Sequence, residues 1–252
     1  MELRNPLFKN MDECYDSTES RENCATIKGT FGKTLFLIGL AIASAVLAIV
    51  FMYNLTEDNI GTFFALLVVS LIVALVAGLI ATFSVRLCPV FSIIYAVSEG
   101  FMLGVISLIC DLYYPGIAIT AVIATFAVTL TMGILYFTGV IKVGRKFRAF
   151  IFTAFIAIIV TSLALIIMDA CGFHGIHDLL YSSPLGWVID IAIVLIAALS
   201  LCVDFDYAAR LADSEAEKKY EWKAAFCLTT SIIYLYLRIL QLLIRIAAAS
   251  KK

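Results

Sequence analysis

Seven long apolar runs dominate this sequence and decide what it can fold into. They cover residues 34–54, 60–84, 88–110, 114–137, 149–168, 184–208 and 224–246. Each is near or above the roughly 20 residues that a helix needs to cross a bilayer, and connections such as LTEDNIG and DLYYPG are too short for a soluble domain. We therefore predict an all-α membrane protein, with a seven-transmembrane-helix bundle over residues 34–252 and a flexible, cytoplasmic N-terminal leader over residues 1–33.

Composition supports a lipid environment for most of this chain. The sequence is 63% hydrophobic and 15% charged, whereas soluble domains are roughly 45 to 50% apolar and about 25% charged. The mean hydropathy is +1.03. A formal net charge of −1 gives no reason to expect a nucleic-acid partner, so the predicted partner of the chain is the bilayer itself.

Lysine and arginine are confined to alternate loops, which predicts the orientation. One set of loops holds Lys28, Lys33, Arg86, Lys142, Arg145, Lys146, Arg148, Arg210, Lys218, Lys219 and Lys223. The opposite set holds acidic residues without a lysine or arginine, so the N-terminus is expected to be cytoplasmic. Seven crossings place Lys251 and Lys252 outside, against the same rule, and a re-entrant last run would remove that conflict. We favour seven crossings and leave the re-entrant alternative open.

Five ionisable residues lie inside the apolar runs, where an unpaired charge costs several kcal/mol. They are Glu99 in the third run, Asp190, Asp204 and Asp206 in the sixth, and Arg238 in the seventh. Such residues must face protein or water, so they are the candidate site residues. Glu99 shares a helix face with Ser92 and Tyr95, and it either ties helices together or serves function. The adjacent GFMLG sequence has a spacing of small residues that favours close helix approach.

The two neighbouring aspartates of the sixth run are expected to have different roles. Positions i and i+2 are about 200° apart on a helix, so Asp204 and Asp206 face different sides. Asp206 is four residues from Arg210 and is predicted to pair with it at the membrane surface. Asp204 lies deeper, on one stripe with Asp190 that points into the bundle.

Arg238 is the candidate partner of Asp204, and two interpretations remain open. Helix tilt and the long arginine side chain can bring Arg238 to Asp204 as an ion pair. Alternatively, Arg238 belongs to a polar stripe that lines an aqueous cavity or reaches outward. The members of this stripe recur at helical spacing: Tyr234, Arg238, Gln241 and Arg245.

Enzyme signatures are missing, and we predict that the protein is not an enzyme. The chain has two histidines, His174 and His177, in a loop with Cys171 and Asp178, and we predict a solvated loop there with no metal site and no cofactor. The H-E-x-x-H and G-x-S-x-G motifs are absent from the sequence, as is a C-x-x-C pair among the seven cysteines. A lysine in the middle of the seventh run, which a retinal Schiff base would need, is also absent.

Four segments resemble a known family across essentially the whole chain. They are RNPLF (4–8), CPVFSIIYAVSEGFMLGVIS (88–107), VDFDYAARLADSEAEKKYEW (203–222) and AAFCLTTSIIYLYLRILQLL (224–243). They look like the bacterial Bax-inhibitor-like proteins of the transmembrane Bax inhibitor motif superfamily, in the branch with a longer tether between the last two helices. The order of the motifs DFDYAARL, YEW and LYL is fairly specific.

The resemblance implies a seven-helix bundle with a central last helix and, in characterised members, a pH-sensitive calcium leak. A pair of aspartates on the last two helices is thought to sense pH and gate the leak in those members. The sixth-helix aspartate falls on Asp204 or Asp206, whereas the seventh-helix acid falls on Arg238, a departure from the family pattern. Two carboxylates in one site make a proton-operated switch, but an aspartate beside an arginine stays ionised near neutral pH.

Together these observations predict a cation pathway, and the resemblance implies the bacterial cytoplasmic membrane and Ca²⁺ as the transported ion. Asp204, Asp190, Glu99 and Arg238 would form an inner cluster that closes or lines the pathway, with Asp206 as the other candidate for the gating aspartate. Arg238 would act as a built-in positive plug. The alternative is a non-conducting interaction protein that modulates membrane-protein quality control or stress responses, and a third option is a cation/proton exchanger.

Overall fold

Seven α-helices make up the structure, a computed structural model that describes residues 24–54, 60–170 and 184–250. They are α1 Ile27–Tyr53, α2 Ile60–Phe83, α3 Cys88–Tyr113, α4 Ile117–Phe137, α5 Arg145–Ala170, α6 Pro184–Asp213 and α7 Lys219–Ser250. All seven are long and apolar enough to cross a membrane. Within the described ranges there is no β-sheet, so the predicted all-α fold class is confirmed.

Several helices extend beyond the apolar runs, since hydropathy marks only the part that can lie in lipid. The first helix begins at Ile27, so Ile27–Lys33 belong to α1 and not to the leader. Thr26 caps this helix, because its side chain accepts a hydrogen bond from the Gly29 amide at 3.0 Å. The seventh helix likewise begins at Lys219, inside the segment predicted to be a polar tether. The rest of the predicted leader, residues 1–23, lies outside the described residues.

The last helix is central, as the resemblance implies. α7 packs against α1, α2, α3, α4 and α6, and it meets α5 through the Phe155 and Tyr234 rings, whose centroids are 5.5 Å apart. Its residues Leu228, Leu235 and Leu240 are at most 1% exposed and belong to the largest apolar cluster. Removing α7 would therefore remove the core that the other helices share.

The GFMLG spacing of α3 brings α1 close, as the sequence predicts. Gly100 faces the backbone of Ala41, and Gly104 faces the backbone of Ala45. A Cβ atom at either glycine would overlap the facing α1 carbonyl group. The small residues thus allow the two backbones to touch, which is how helices pack tightly where the hydrophobic effect is weak.

α5 is the peripheral helix of the bundle. It packs closely only against α6, and Ile151 is the single buried side chain among its described residues. Large apolar side chains of α5 such as Ile159 and Ile166 remain 62% and 66% exposed. The loose packing of α5 leaves a gap beside α7 that the main cluster of the core does not fill.

Candidate functional site

A cavity of about 550 Å³ lies between α2, α3, α6 and α7 and contains two of the predicted site residues. Glu99 of α3 and Asp204 of α6 both line it, together with the hydroxyl residues Thr230 and Ser231 of α7. The facing wall comes from apolar residues of α2: Leu71, Ala74, Leu75, Gly78 and Leu79. We call this space the acidic cavity, because two carboxyl groups share it inside the helical bundle.

Asp204 has an unsatisfied oxygen in the acidic cavity. Its Oδ2 atom is buried and has no hydrogen-bond partner among the described residues. The hydroxyl of Ser231 lies beside the same carboxyl group. A buried carboxylate oxygen without a partner is costly, so this group needs a proton, a water molecule or a cation.

Glu99 stands on the predicted face of α3, but the three polar residues of that face have separate roles. Ser92 is buried and donates to the Cys88 carbonyl oxygen at 2.5 Å, within its own helix. Tyr95 lines the acidic cavity and packs edge-on against Phe226 at 5.2 Å between centroids. Glu99 forms no hydrogen bond or ion pair with another residue in the described part of the chain, so its carboxyl group is free for the cavity.

Arg238 does not pair with Asp204, which corrects the first of the two interpretations. Its guanidinium donates to the Gln241 side chain at 3.0 Å and lies 4.9 Å from the Tyr234 ring centroid. Asp204 is level with Ser231, which is seven residues and about 10 Å of helix away from Arg238. Arg238 instead lines a second cavity, between α5 and α7, and whether that cavity is aqueous, as the second interpretation holds, stays a prediction.

Asp206 forms the predicted ion pair with Arg210, with 2.7 Å between Oδ2 and Nε. The Arg210 guanidinium also donates to the Val143 carbonyl oxygen at 3.4 Å, in the connection between α4 and α5. Asp206 does not line the acidic cavity, as its angular separation from Asp204 requires. The structure therefore favours Asp204 over Asp206 as the sixth-helix acid that faces an open space.

Asp190 lies apart from the other predicted site residues. It forms an ion pair with Arg245, whose guanidinium lies 5.1 Å from the Trp187 ring centroid. Asp190 and Asp204 are fourteen residues apart, which is about 21 Å along α6. The predicted four-residue cluster is therefore divided: Glu99 and Asp204 share one cavity, Arg238 lines another, and Asp190 pairs with Arg245.

A buried carboxylate at the start of α7, Glu221, was not among the predicted site residues. Glu221 is 1% exposed and accepts hydrogen bonds from the Thr26 amide at 2.7 Å and the Thr26 hydroxyl at 3.0 Å. It also forms an ion pair with Lys33, whose ammonium group lies 5.3 Å from the Trp222 ring centroid. These four residues, which we call the α1–α7 clamp, join the first turn of the central helix to the start of α1.

Two further features tighten the α1–α7 clamp. A Cβ atom at Gly29 would overlap the Glu221 carboxylate, so only glycine leaves room there. The amide of Ala25 donates to the Ala216 carbonyl oxygen at 2.6 Å, which fastens the connection between α6 and α7. No local signal in the sequence marks Glu221, because the residues that bury it are 188 and 195 positions away.

The acidic cavity offers oxygen atoms, the ligand type that hard cations prefer. In the described ranges no group of three or more histidine, cysteine, aspartate or glutamate residues could hold a metal ion. Two carboxyl groups with two hydroxyl groups suit weak, exchangeable binding better than a resident metal centre. The predicted solvated loop with Cys171, His174, His177 and Asp178 lies outside the described residues.

Nearly the whole chain matches a known family. A family model described as Bax inhibitor 1 like matches residues 5–248. No curated protein and no solved structure matches the chain. The family match includes all the motifs on which the resemblance rests except the first residue of RNPLF. The chain therefore belongs to the Bax inhibitor 1 like family.

Proposed function

We propose that this protein is a Ca²⁺ leak pathway of the cell membrane in which Glu99 and Asp204 form the intramembrane cation site. One observation carries the proposal: the buried Asp204 Oδ2 atom has no partner among the described residues, and it belongs to a cavity that Glu99 also lines. A cation would supply the missing partner. The resemblance to calcium-leak proteins of the bacterial cytoplasmic membrane supports the choice of ion and of membrane.

The chemistry of the acidic cavity fits a divalent cation that passes through. Ca²⁺ takes six to eight oxygen ligands, and here Glu99, Asp204, Thr230 and Ser231 supply some of them while water supplies the rest. Protons and cations compete for the two carboxyl groups that share this space. Proton binding would therefore displace Ca²⁺, and this gives the pathway a dependence on pH without the aspartate pair of the family.

Arg238 supports a low resting conductance. Thr230 and Ser231 line both cavities, so a cation that leaves the acidic cavity along α7 approaches the Arg238 guanidinium. A positive charge at that depth raises the barrier for a second positive charge. We keep the role of a positive plug for Arg238, acting from the neighbouring cavity and not through an ion pair with Asp204.

Calcium flux into proteoliposomes tests the cation site. We expect Asp204→Asn and Glu99→Gln each to lower the initial rate of flux about tenfold, since each removes a charged ligand. Asp213→Asn is the matched control, because Asp213 is an exposed aspartate nine residues along the same helix. Arg238→Gln should raise the rate. Unchanged flux in both acidic variants, from folded protein, would contradict the proposal.

The same assay separates the two alternatives. A non-conducting interaction protein would give no flux in the wild type or in any variant, while Asp204→Asn would change only stability in detergent. An exchanger would move Ca²⁺ only when a proton gradient is imposed, whereas a leak needs no such gradient. Each result leads to a different assignment for the same pair of carboxyl groups.

A further inference from the structure

A second cavity, of about 560 Å³, lies between α5 and α7 and has two chemically different walls. The α5 wall is largely apolar and consists of Phe155, Ile158, Ile159, Ser162, Leu163 and Ile166. The α7 wall is polar, with Thr230, Ser231, Tyr234 and Arg238. We call this cavity the α5–α7 groove. Its volume is within the range of about 300 to 1,000 Å³ that small-molecule sites occupy.

The polar wall carries a positive charge with no acidic partner in the described part of the chain. Arg238 contacts the neutral Gln241 side chain and the Tyr234 ring. The two acids of the neighbouring helix α6 have other places, since Asp190 pairs with Arg245 and Asp204 lines the other cavity. A guanidinium at membrane depth is costly unless it is paired, so the groove favours an anionic group.

Tyr234 adds a hydrogen-bond donor to the same wall. Its hydroxyl group is buried without a hydrogen-bond partner among the described residues, while its ring packs on Phe155 of the opposite wall. Buried tyrosine hydroxyls usually find a partner. A cation and an unused donor therefore face an apolar surface, which is the complement of a molecule with an anionic head and a hydrocarbon chain.

The position of the groove points to a membrane lipid as this molecule. Ile159, Leu163 and Ile166 remain 55% to 66% exposed, so nothing in the described chain covers the apolar wall. Trp187 and the Asp190–Arg245 pair have the character of a membrane–water boundary, and Arg238 lies seven residues or about 10 Å deeper. An arginine side chain at that depth can extend toward a lipid phosphate.

We propose that the α5–α7 groove binds an anionic phospholipid, with its phosphate at Arg238 and one acyl chain against α5. Tyr234 donates a hydrogen bond to the same headgroup or its ester oxygens. The lipid fills the gap that the loose packing of α5 leaves. This site adjoins the acidic cavity, with which it shares Thr230 and Ser231, and it does not require that the protein conducts.

Native mass spectrometry of the full chain in neutral detergent tests the lipid site. Phosphatidylglycerol and phosphatidylcholine with identical acyl chains are the two probes, and oleate is a third. We expect the wild type to bind phosphatidylglycerol about tenfold more tightly than phosphatidylcholine. A tenfold difference in affinity is about what one charge-assisted hydrogen bond contributes. Arg238→Gln should remove this difference, whereas Tyr234→Phe should weaken the binding of both phospholipids about threefold, because both carry the phosphate and ester oxygens that accept its hydrogen bond.

Two controls separate the site from general effects of charge and folding. Arg86→Gln removes the same charge from an exposed position in the connection between α2 and α3 and should leave the preference unchanged. Ser162→Trp places a bulky group on the α5 wall without changing charge, and it should weaken binding of both phospholipids. Circular dichroism and thermal unfolding confirm that each variant is folded.

Three results would overturn the proposal. The first is equal binding of the two phospholipids by the wild type. The second is a preference that Arg238→Gln leaves intact in folded protein. The third is Arg238-dependent binding of oleate without binding of phosphatidylglycerol, which would assign the groove to free fatty acids.

Discussion

The acidic cavity and the α1–α7 clamp each hold a carboxyl group inside the bundle, yet only one of them is satisfied. Glu221 accepts two hydrogen bonds from Thr26 and pairs with Lys33. Asp204 keeps one buried oxygen without a partner among the described residues. The two groups have the same chemistry and both belong to the last two helices, but their surroundings differ.

This difference separates a structural acid from an acid that is available for function. A carboxylate with all of its partners in place fixes the helices that supply them, and removing it leaves those partners unsatisfied. A carboxylate that lacks a partner contributes little to folding stability, because its desolvation is not compensated. The stability of substituted proteins can test this interpretation directly.

The largest effect is expected from Glu221→Ala. This change leaves the Lys33 ammonium group and the Thr26 donors without their acceptor, so we expect a loss of about 3 kcal/mol in the free energy of unfolding. Thermal unfolding in detergent measures it. Glu217→Ala is the control, since Glu217 is 69% exposed and pairs with Lys219 at the surface, where such a pair contributes about 1 kcal/mol or less. Equal effects of the two changes would refute the structural role of the clamp.

A smaller loss, about 2 kcal/mol, is expected from Gly29→Ala. The new methyl group would overlap the Glu221 carboxylate and force it away from its three donors, an overpacking effect. Gly32→Ala makes a matched control three residues along α1, where a Cβ atom meets nothing within 4 Å. That control should be neutral or slightly stabilising, because alanine favours helix more than glycine. The comparison fails if both variants unfold at the same temperature.

The smallest effect, with the opposite sign, is expected from Asp204→Asn. The amide removes a buried carboxylate that lacks a partner and keeps its shape, so the protein should be unchanged or more stable by up to about 1 kcal/mol. The same unfolding experiment measures it, side by side with Glu221→Gln, which should destabilise. A loss above about 2 kcal/mol in Asp204→Asn would show that Asp204 is a structural acid like Glu221.

Local spacing along the sequence predicted much of this arrangement. The seven apolar runs predicted the seven helices. The i and i+4 spacing predicted the Asp206–Arg210 ion pair, and the GFMLG sequence predicted the close approach of α1 and α3. Each of these features depends on residues within one helix or on the bilayer. The central position of α7 came from the family resemblance and not from the pattern of residues.

The remaining features depend on how separate helices align, which local spacing does not encode. Asp204 is level with Ser231 and not with Arg238, because the register between α6 and α7 follows from packing along their whole length. Glu221 is buried by residues 188 and 195 positions away in the sequence. Nothing in the segment YEW alone distinguishes that acid from its exposed neighbours.

The central place of α7 has a consequence for biogenesis. The ribosome translates α1 before the other six helices and α7 after them. Thr26 and Lys33 therefore lack their hydrogen-bond acceptor, the Glu221 carboxylate, until almost 200 further residues have been translated. Before α7 inserts, the apolar side chains that pack against it in the complete bundle remain exposed. Assembly of these seven helices in the membrane is therefore complete only after α7 has inserted.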